Sequence, residues 1–228
     1  MKKNFIFFAV VTAFIFSCAE TVIVPDVKGS NLENMNTEET KDSILIIDTR
    51  PYSAYKISHV PDAINIPKDE IKKRINEFAD WKNKPIYIYA DNDDDSFDAA
   101  RIFVAAGCKT VYNAEGISQY TYKTVTYDSM RGIVFEQKIN SPDVLIVDCR
   151  LKKYYDEGHI EGAISIPITE IEQNLSTLPK DKKLFLYCSL GSASARAALV
   201  LSENGFTEIY NTIDGTSEYP FKLVKDTE

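Results

Sequence analysis

This chain repeats itself, and that narrows what it can fold into more than any other feature does. Ile44-Leu-Ile-Ile-Asp48-Thr-Arg50 returns one hundred positions later as Val144-Leu-Ile-Val-Asp148-Cys-Arg150. Laid over each other, residues 48–67 and 148–167 agree at eight of twenty positions without a gap. The matches are Asp48/Asp148, Arg50/Arg150, Tyr55/Tyr155, His59/His159, Ala63/Ala163, Ile64/Ile164, Ile66/Ile166 and Pro67/Pro167, far too many for chance. After a two-residue slip, Ile86-Tyr-Ile-Tyr-Ala90 lies over Leu184-Phe-Leu-Tyr-Cys188, Gly107 over Gly205, and Tyr112-Asn113 over Tyr210-Asn211. Self-similarity of this kind settles the architecture before local propensity does: two like halves.

Each copy reads strand, short helix, short strand, helix, strand, loop, helix, strand. That alternation predicts βαβ units and an α/β fold, each half a parallel, doubly wound sheet with helices on both faces. In such sheets the reactive crevice lies beyond the C-terminal ends of the strands. Residues 117–141 carry few periodic apolar positions, so the halves are placed at 44–123 and 124–228. Residues 19–43, polar and rich in Asn, Glu and Thr, are expected to be a tether. Without the first 18 residues, about two hundred residues remain, a length that suits two small domains or one large one.

The start of the chain is of another kind. Met1-Lys-Lys precedes an apolar run from Phe5 to Phe16 broken only by Thr12. This has the layout of a signal peptide and is too short to span a bilayer. Two cuts fit. Ile15-Phe-Ser-Cys18 is similar to a bacterial lipobox, which makes 1–18 the signal and Cys18 a lipidated N-terminus; Ser17-Cys-Ala19 suits ordinary secretion. Export is expected from both, and a cysteine directly after such a run favours a lipid anchor at the cell envelope. That anchor is the one contact with membrane expected, because a net charge of −8 opposes binding to nucleic acid or an anionic bilayer surface.

Besides Cys18 there are three cysteines, Cys108, Cys149 and Cys188, an odd number where an exported protein normally pairs them. A reactive thiol is therefore expected. No spacing matches a metal pattern and two histidines are too few for a histidine-based site, so neither metal nor cofactor is predicted. Cys188 is the candidate nucleophile. It ends the buried strand Leu184–Tyr187, opens a loop of small residues (Ser189, Leu190, Gly191, Ser192, Ala193, Ser194) and precedes an Ala/Leu-rich helix that stops at Gly205. Loop amides and a helix N-terminus aimed at one sulfur favour thiolate over thiol, and Gly191 permits a positive φ. The competing reading is a buried free cysteine before an ordinary loop.

Asp148-Cys-Arg150, Tyr155-Asp-Glu-Gly-His159-Ile-Glu-Gly-Ala163-Ile-Ser-Ile-Pro167 and Cys188-Ser-Leu-Gly191-Ser-Ala-Ser194 together resemble a rhodanese domain. Asp48-Thr-Arg50 with Tyr55-Lys-Ile-Ser-His59-Val-Pro-Asp-Ala63-Ile-Asn-Ile-Pro67 resembles a second one. The resemblance implies a tandem sulfurtransferase. Cys188 takes sulfane sulfur from a donor (thiosulfate, polysulfide or persulfide), carries it as a persulfide, and hands it to a small thiophilic acceptor or a partner thiol protein. The loop from Ser189 to Ser194 would bind the transferred sulfur. Two departures matter. Ala193 stands where many members carry arginine, which disfavours thiosulfate. Arg196 is the candidate anion contact in its place, against its reading as a solvated helix residue. The first copy has Ala90 in place of the cysteine and a carboxylate-filled loop, Asp91 to Asp95, so its site is expected to be inactive. A non-catalytic docking module with the same fold is the rival reading.

Other residues have plainer readings. Asp91, Asp93 and Asp95 resemble a calcium loop, but Ser96 and Ile102 stand where glycine and glutamate belong. His159, Asp148 and Arg150 recur as His59, Asp48 and Arg50 in the copy that lacks the cysteine, so they are read as structural residues near the site. A phosphatase-type loop needs arginine where Ser194 stands. Cys149 is read as a resolving thiol, a disulfide partner of Cys188 or core filler; Cys108 as packing.

Overall fold

The computed structural model describes residues 23–226; the expected signal peptide and Cys18 lie outside them. Two five-stranded parallel sheets are built in the same order. The first contains β1 (Asp26–Val27), β2 (Leu45–Asp48), β3 (Ile64–Asn65), β4 (Pro85–Tyr89) and β5 (Thr110–Ala114), arranged β1-β5-β4-β2-β3. The second contains β6 (Asp128–Met130), β7 (Val144–Asp148), β9 (Ile164–Ser165), β10 (Lys183–Tyr187) and β11 (Ile209–Thr212), arranged β6-β11-β10-β7-β9. Helices α1 (Gly29–Met35), α2 (Tyr52–Ile57), α3 (Ile71–Arg74) and α4 (Asp93–Ala105) belong to the first half; α5 (Gly132–Lys138), α6 (Lys152–Glu157) and α7 (Ser192–Glu203) belong to the second. Where the first half has α3, the second has short 3-10 turns at Ile168–Glu170 and Glu172–Asn174.

The apolar runs of the central strands divide with a period of two, because successive side chains leave opposite faces. On β10, Leu184 and Leu186 join Cys188 in a core with Ala197, Ala198 and Leu201 of α7. Phe185 and Tyr187 enter the opposite core with Phe135 of α5. The first sheet is covered in the same way by two cores, one containing α4 and one containing α1.

One boundary predicted from sequence is corrected. Residues 23–43 are not a tether. β1 pairs with β5, and Leu32 of α1 is fully buried, a burial that contributes about 1.5–3 kcal/mol. A two-residue strand and a two-turn helix carry too little periodicity to stand out from a polar stretch. His59 of the first half forms an antiparallel bridge with Val125, whose side chain enters the core of the second half. In the second half the chain end does the same work: β12 (Leu223–Val224) pairs antiparallel with β8 (His159–Ile160).

The halves pack through polar side chains. Tyr55 Oη accepts from Ser129 N at 2.9 Å, and Tyr52 Oη donates to Asp128 Oδ2 at 2.6 Å. Arg131 is held by Asp214 of its own half and by Asp80 of the other, each at 2.7 Å.

Candidate functional site

Cys188 follows β10, the central strand of the second sheet, and is only 3% exposed. Three features shape the loop after it. Gly191 adopts φ +83°, and a Cβ there would come within 2.4 Å of Ile213 O. Gly215 lets the chain after β11 press against Ser189, where a Cβ would meet backbone at 2.0 Å. Thr216 N and Ser217 N then donate to Cys188 O and Ser189 O, both at 3.0 Å. The loop carbonyls are thereby drawn to one side. Among the described residues, no protein acceptor takes the backbone N–H groups from Ser189 to Ser194. The last three of them are the open N-terminus of α7, which has no side-chain cap at Gly191.

The Ser194 hydroxyl stands 3.4 Å from Cys188 Sγ and 2.9 Å from Gly191 O. It has one proton, so it donates to one of the two at a time. The half-buried Ser192 and Ala193 lie along the loop, and Leu190 is 44% exposed. Arg196, on the outer face of α7, pairs with Glu38 Oε1 at 3.1 Å. Both side chains are more than half exposed, and such a pair contributes little. Sequence reasoning missed Lys41, whose ammonium reaches across from the first half to Leu190 O and to Asp42. Nothing in its sequence context marks it. Gly215 was also missed, although its counterpart Gly116 packs against the first loop in the same way, where a Cβ would come within 2.4 Å of Asp91 O.

Asp148, Arg150 and His159 stand behind the site. Asp148 is fully buried and accepts from Arg150 Nη2 and from Tyr187 Oη, each at 2.6 Å. Arg150 Nη2 also donates to Gly158 O at 2.7 Å. Burial works against the guanidinium charge, but the hydrogen bond to Asp148, the Asp148 charge and Tyr187 together outweigh it and raise the pKa. His159 stacks on Tyr155 with centroids 3.8 Å apart, and its Nδ1 meets Tyr155 O at 3.0 Å. The same network exists in the first half with Asp48, Arg50, Tyr89 and His59.

The loop at Asp91–Asp95 follows β4 at the matching place. Asn92 caps α4 by accepting from Asp95 N at 3.1 Å, Gln119 Oε1 takes Asp93 N at 3.0 Å, and Asp93 Oδ1 takes Gly116 N at 2.9 Å. Among the described residues, no group of three His, Cys, Asp or Glu side chains is placed to hold a metal.

A family comparison decides the class. The rhodanese-like domain matches twice, over residues 30–121 and 134–220. The chain belongs to the rhodanese-like family. Among curated proteins, it is 37% identical over 78 residues to the uncharacterized protein YqhL of Bacillus subtilis, covering 34% of this chain and 62% of that one. It is 29% identical over 147 residues to the tRNA uridine(34) hydroxylase of Photorhabdus laumondii, covering 61% of this chain and 41% of that protein. It is 36% identical over 67 residues to the thiosulfate sulfurtransferase PspE of Escherichia coli, covering 28% and 64%. The chain thus spans between 41% and 62% of the length of the first two of these relatives. A solved thiosulfate sulfurtransferase from Pseudomonas aeruginosa aligns with 90% of this chain and 44% of its own, at 16% identity and a TM-score of 0.39. The two ranges matched by the family, 30–121 and 134–220, fall on the two sheets described above.

Proposed function

We propose that this protein is a sulfurtransferase that moves sulfane sulfur through a persulfide on Cys188. The observation that carries the reading is the run of uncommitted amides from Ser189 to Ser194 around a buried cysteine. A persulfide places a terminal, partly anionic sulfur above Sγ. Oriented N–H dipoles and the Ser194 hydroxyl stabilise such charge most effectively away from bulk water. Sγ attacks the outer sulfur of the donor, the donor's sulfur–sulfur bond breaks, and the remainder leaves with the electron pair. An acceptor thiolate or cyanide then attacks the carried sulfur and restores Cys188.

The donor we favour is a polysulfide or a persulfide. The nearby cations are engaged elsewhere, Arg196 by Glu38 and Lys41 by Asp42 and the Leu190 carbonyl, and Ala193 offers none. The first domain acts as a scaffold that covers one side of the loop, with Ala90 where a nucleophile would stand. We also propose that the chain is exported and anchored through a lipidated Cys18. Loss of labelled-palmitate incorporation in Cys18→Ala tests that point.

Purified protein given polysulfide and cyanide is expected to form thiocyanate, and Cys188→Ala is expected to form none above buffer. Equal turnover by Cys188→Ala, or no turnover with any sulfane donor, favours the docking module instead.

A further inference from the structure

Cys149 and Cys188 end neighbouring parallel strands at the same level. Asp148 pairs with Tyr187, and Cys149 N donates to Tyr187 O at 2.9 Å. One step further along the ladder, Cys149 stands beside Cys188. Neighbouring strands lie about 4.8 Å apart, inside the range of about 4.4–6.8 Å between Cα atoms that a disulfide bridges. Level residues on parallel strands face the same way. Both cysteines accordingly enter one core with Val147, Leu184 and Leu186, at 1% and 3% exposure. The first domain has no such pair: Thr49 and Ala90 occupy the two positions, and Thr49 Oγ1 donates to Tyr89 O at 3.1 Å.

We propose that Cys149 is the resolving thiol for Cys188, releasing the carried sulfur as sulfide when no acceptor arrives. This rests on the sulfurtransferase reading above. Cys149 Sγ attacks the inner sulfur of the Cys188 persulfide, and the bond to the outer sulfur breaks. The outer sulfur leaves with the electron pair and takes up the Cys149 proton as hydrogen sulfide. The sulfane sulfur is reduced to sulfide while the cysteine pair is oxidised to a Cys149–Cys188 disulfide. A dithiol from outside the chain then reduces that bond and returns both thiols. Burial, followed by the neighbouring Cys188, raises the Cys149 pKa well above its ordinary value. Because the attacking species is the thiolate, resolution is slow at neutral pH and leaves time for an acceptor.

The test loads wild type and Cys149→Thr with inorganic polysulfide, removes the excess, and follows intact mass, released sulfide and cysteine peptides with time. Threonine is chosen because the first domain buries it at the matching position; Cys149→Ala, checked by circular dichroism, is the second variant. Both variants are expected to gain one sulfur on Cys188 and keep it. Wild type is expected to lose it as sulfide with a Cys149–Cys188 peptide appearing, faster above neutral pH. Equal persulfide lifetimes in wild type and variants, or sulfide release without that peptide, overturn this inference alone. Uptake by wild type but by neither variant also overturns this inference alone, whereas no sulfur uptake by any of the three proteins, with neither sulfide nor disulfide from wild type, overturns the sulfurtransferase reading together with it.

Discussion

The loops after β4 and β10 leave matching strands at matching places, yet they treat their backbone N–H groups in opposite ways. In the first domain Asn92 and Gln119 occupy the N–H groups of Asp95 and Asp93. In the second, the corresponding N–H groups of Ala193 and Gly191 have no acceptor among the described residues. The serines that follow differ in the same sense. Ser96 Oγ donates to Asn113 Oδ1 at 2.6 Å, whereas Ser194 Oγ stands over Cys188 Sγ at 3.4 Å. Asn211, the counterpart of Asn113, is left buried with neither side-chain atom partnered. The fold thus builds the same loop twice, and in one copy side chains take two of the N–H groups that the other leaves without a protein acceptor.

The largest effect is expected from moving the nucleophile. Cys188→Ala should abolish sulfur uptake, while Ala90→Cys should gain none, because Gln119 and Asn92 already take the Asp93 and Asp95 N–H groups and the loop's carboxylates repel an anion. A persulfide on the introduced cysteine, read by peptide mass, would break the comparison. Next comes acid sensitivity. Burial lowers the His59 pKa from 6.5 to about 4. The folded state therefore binds fewer protons than the unfolded state between those values, so its contribution is complete above pH 6.5 and is lost as pH falls towards 4. The shift corresponds to about 3 kcal/mol. His59→Phe should flatten the acid limb of a urea-midpoint series; an unchanged limb counts against the burial of a neutral ring.

The asparagines sharpen the same contrast. Asn113→Ala strips partners from Ser96 and Asp26 and should cost about 2 kcal/mol. Asn211→Ala removes a side chain that has no partner and should be close to neutral. Equal losses in chemical denaturation would mean that the two sites are wired alike. The smallest effect is expected from Arg196→Ala, below about 1 kcal/mol in stability and with little change in turnover; a large loss of thiosulfate turnover would restore Arg196 as the anion contact.

Much of this was legible in the residues. The repeat, the central strands and the Cys188–Ser194 loop all follow from apolar runs and small residues with a clear spacing. The segment around β1 and α1 was not legible, because its place is set by pairing with β5 and by one buried leucine, Leu32. Lys41 was invisible for a similar reason: its partner, Leu190, lies 149 positions away. The level placement of Cys149 beside Cys188 required strand register, which sequence alone leaves open.

The most direct measurement is peptide mass mapping of the wild-type chain, alkylated soon after mixing with polysulfide. One added sulfur on the Cys188 peptide and none on the Cys108 peptide is the expected result. Sulfur on Cys108 alone, on both equally, or on neither would contradict a persulfide held by the open loop.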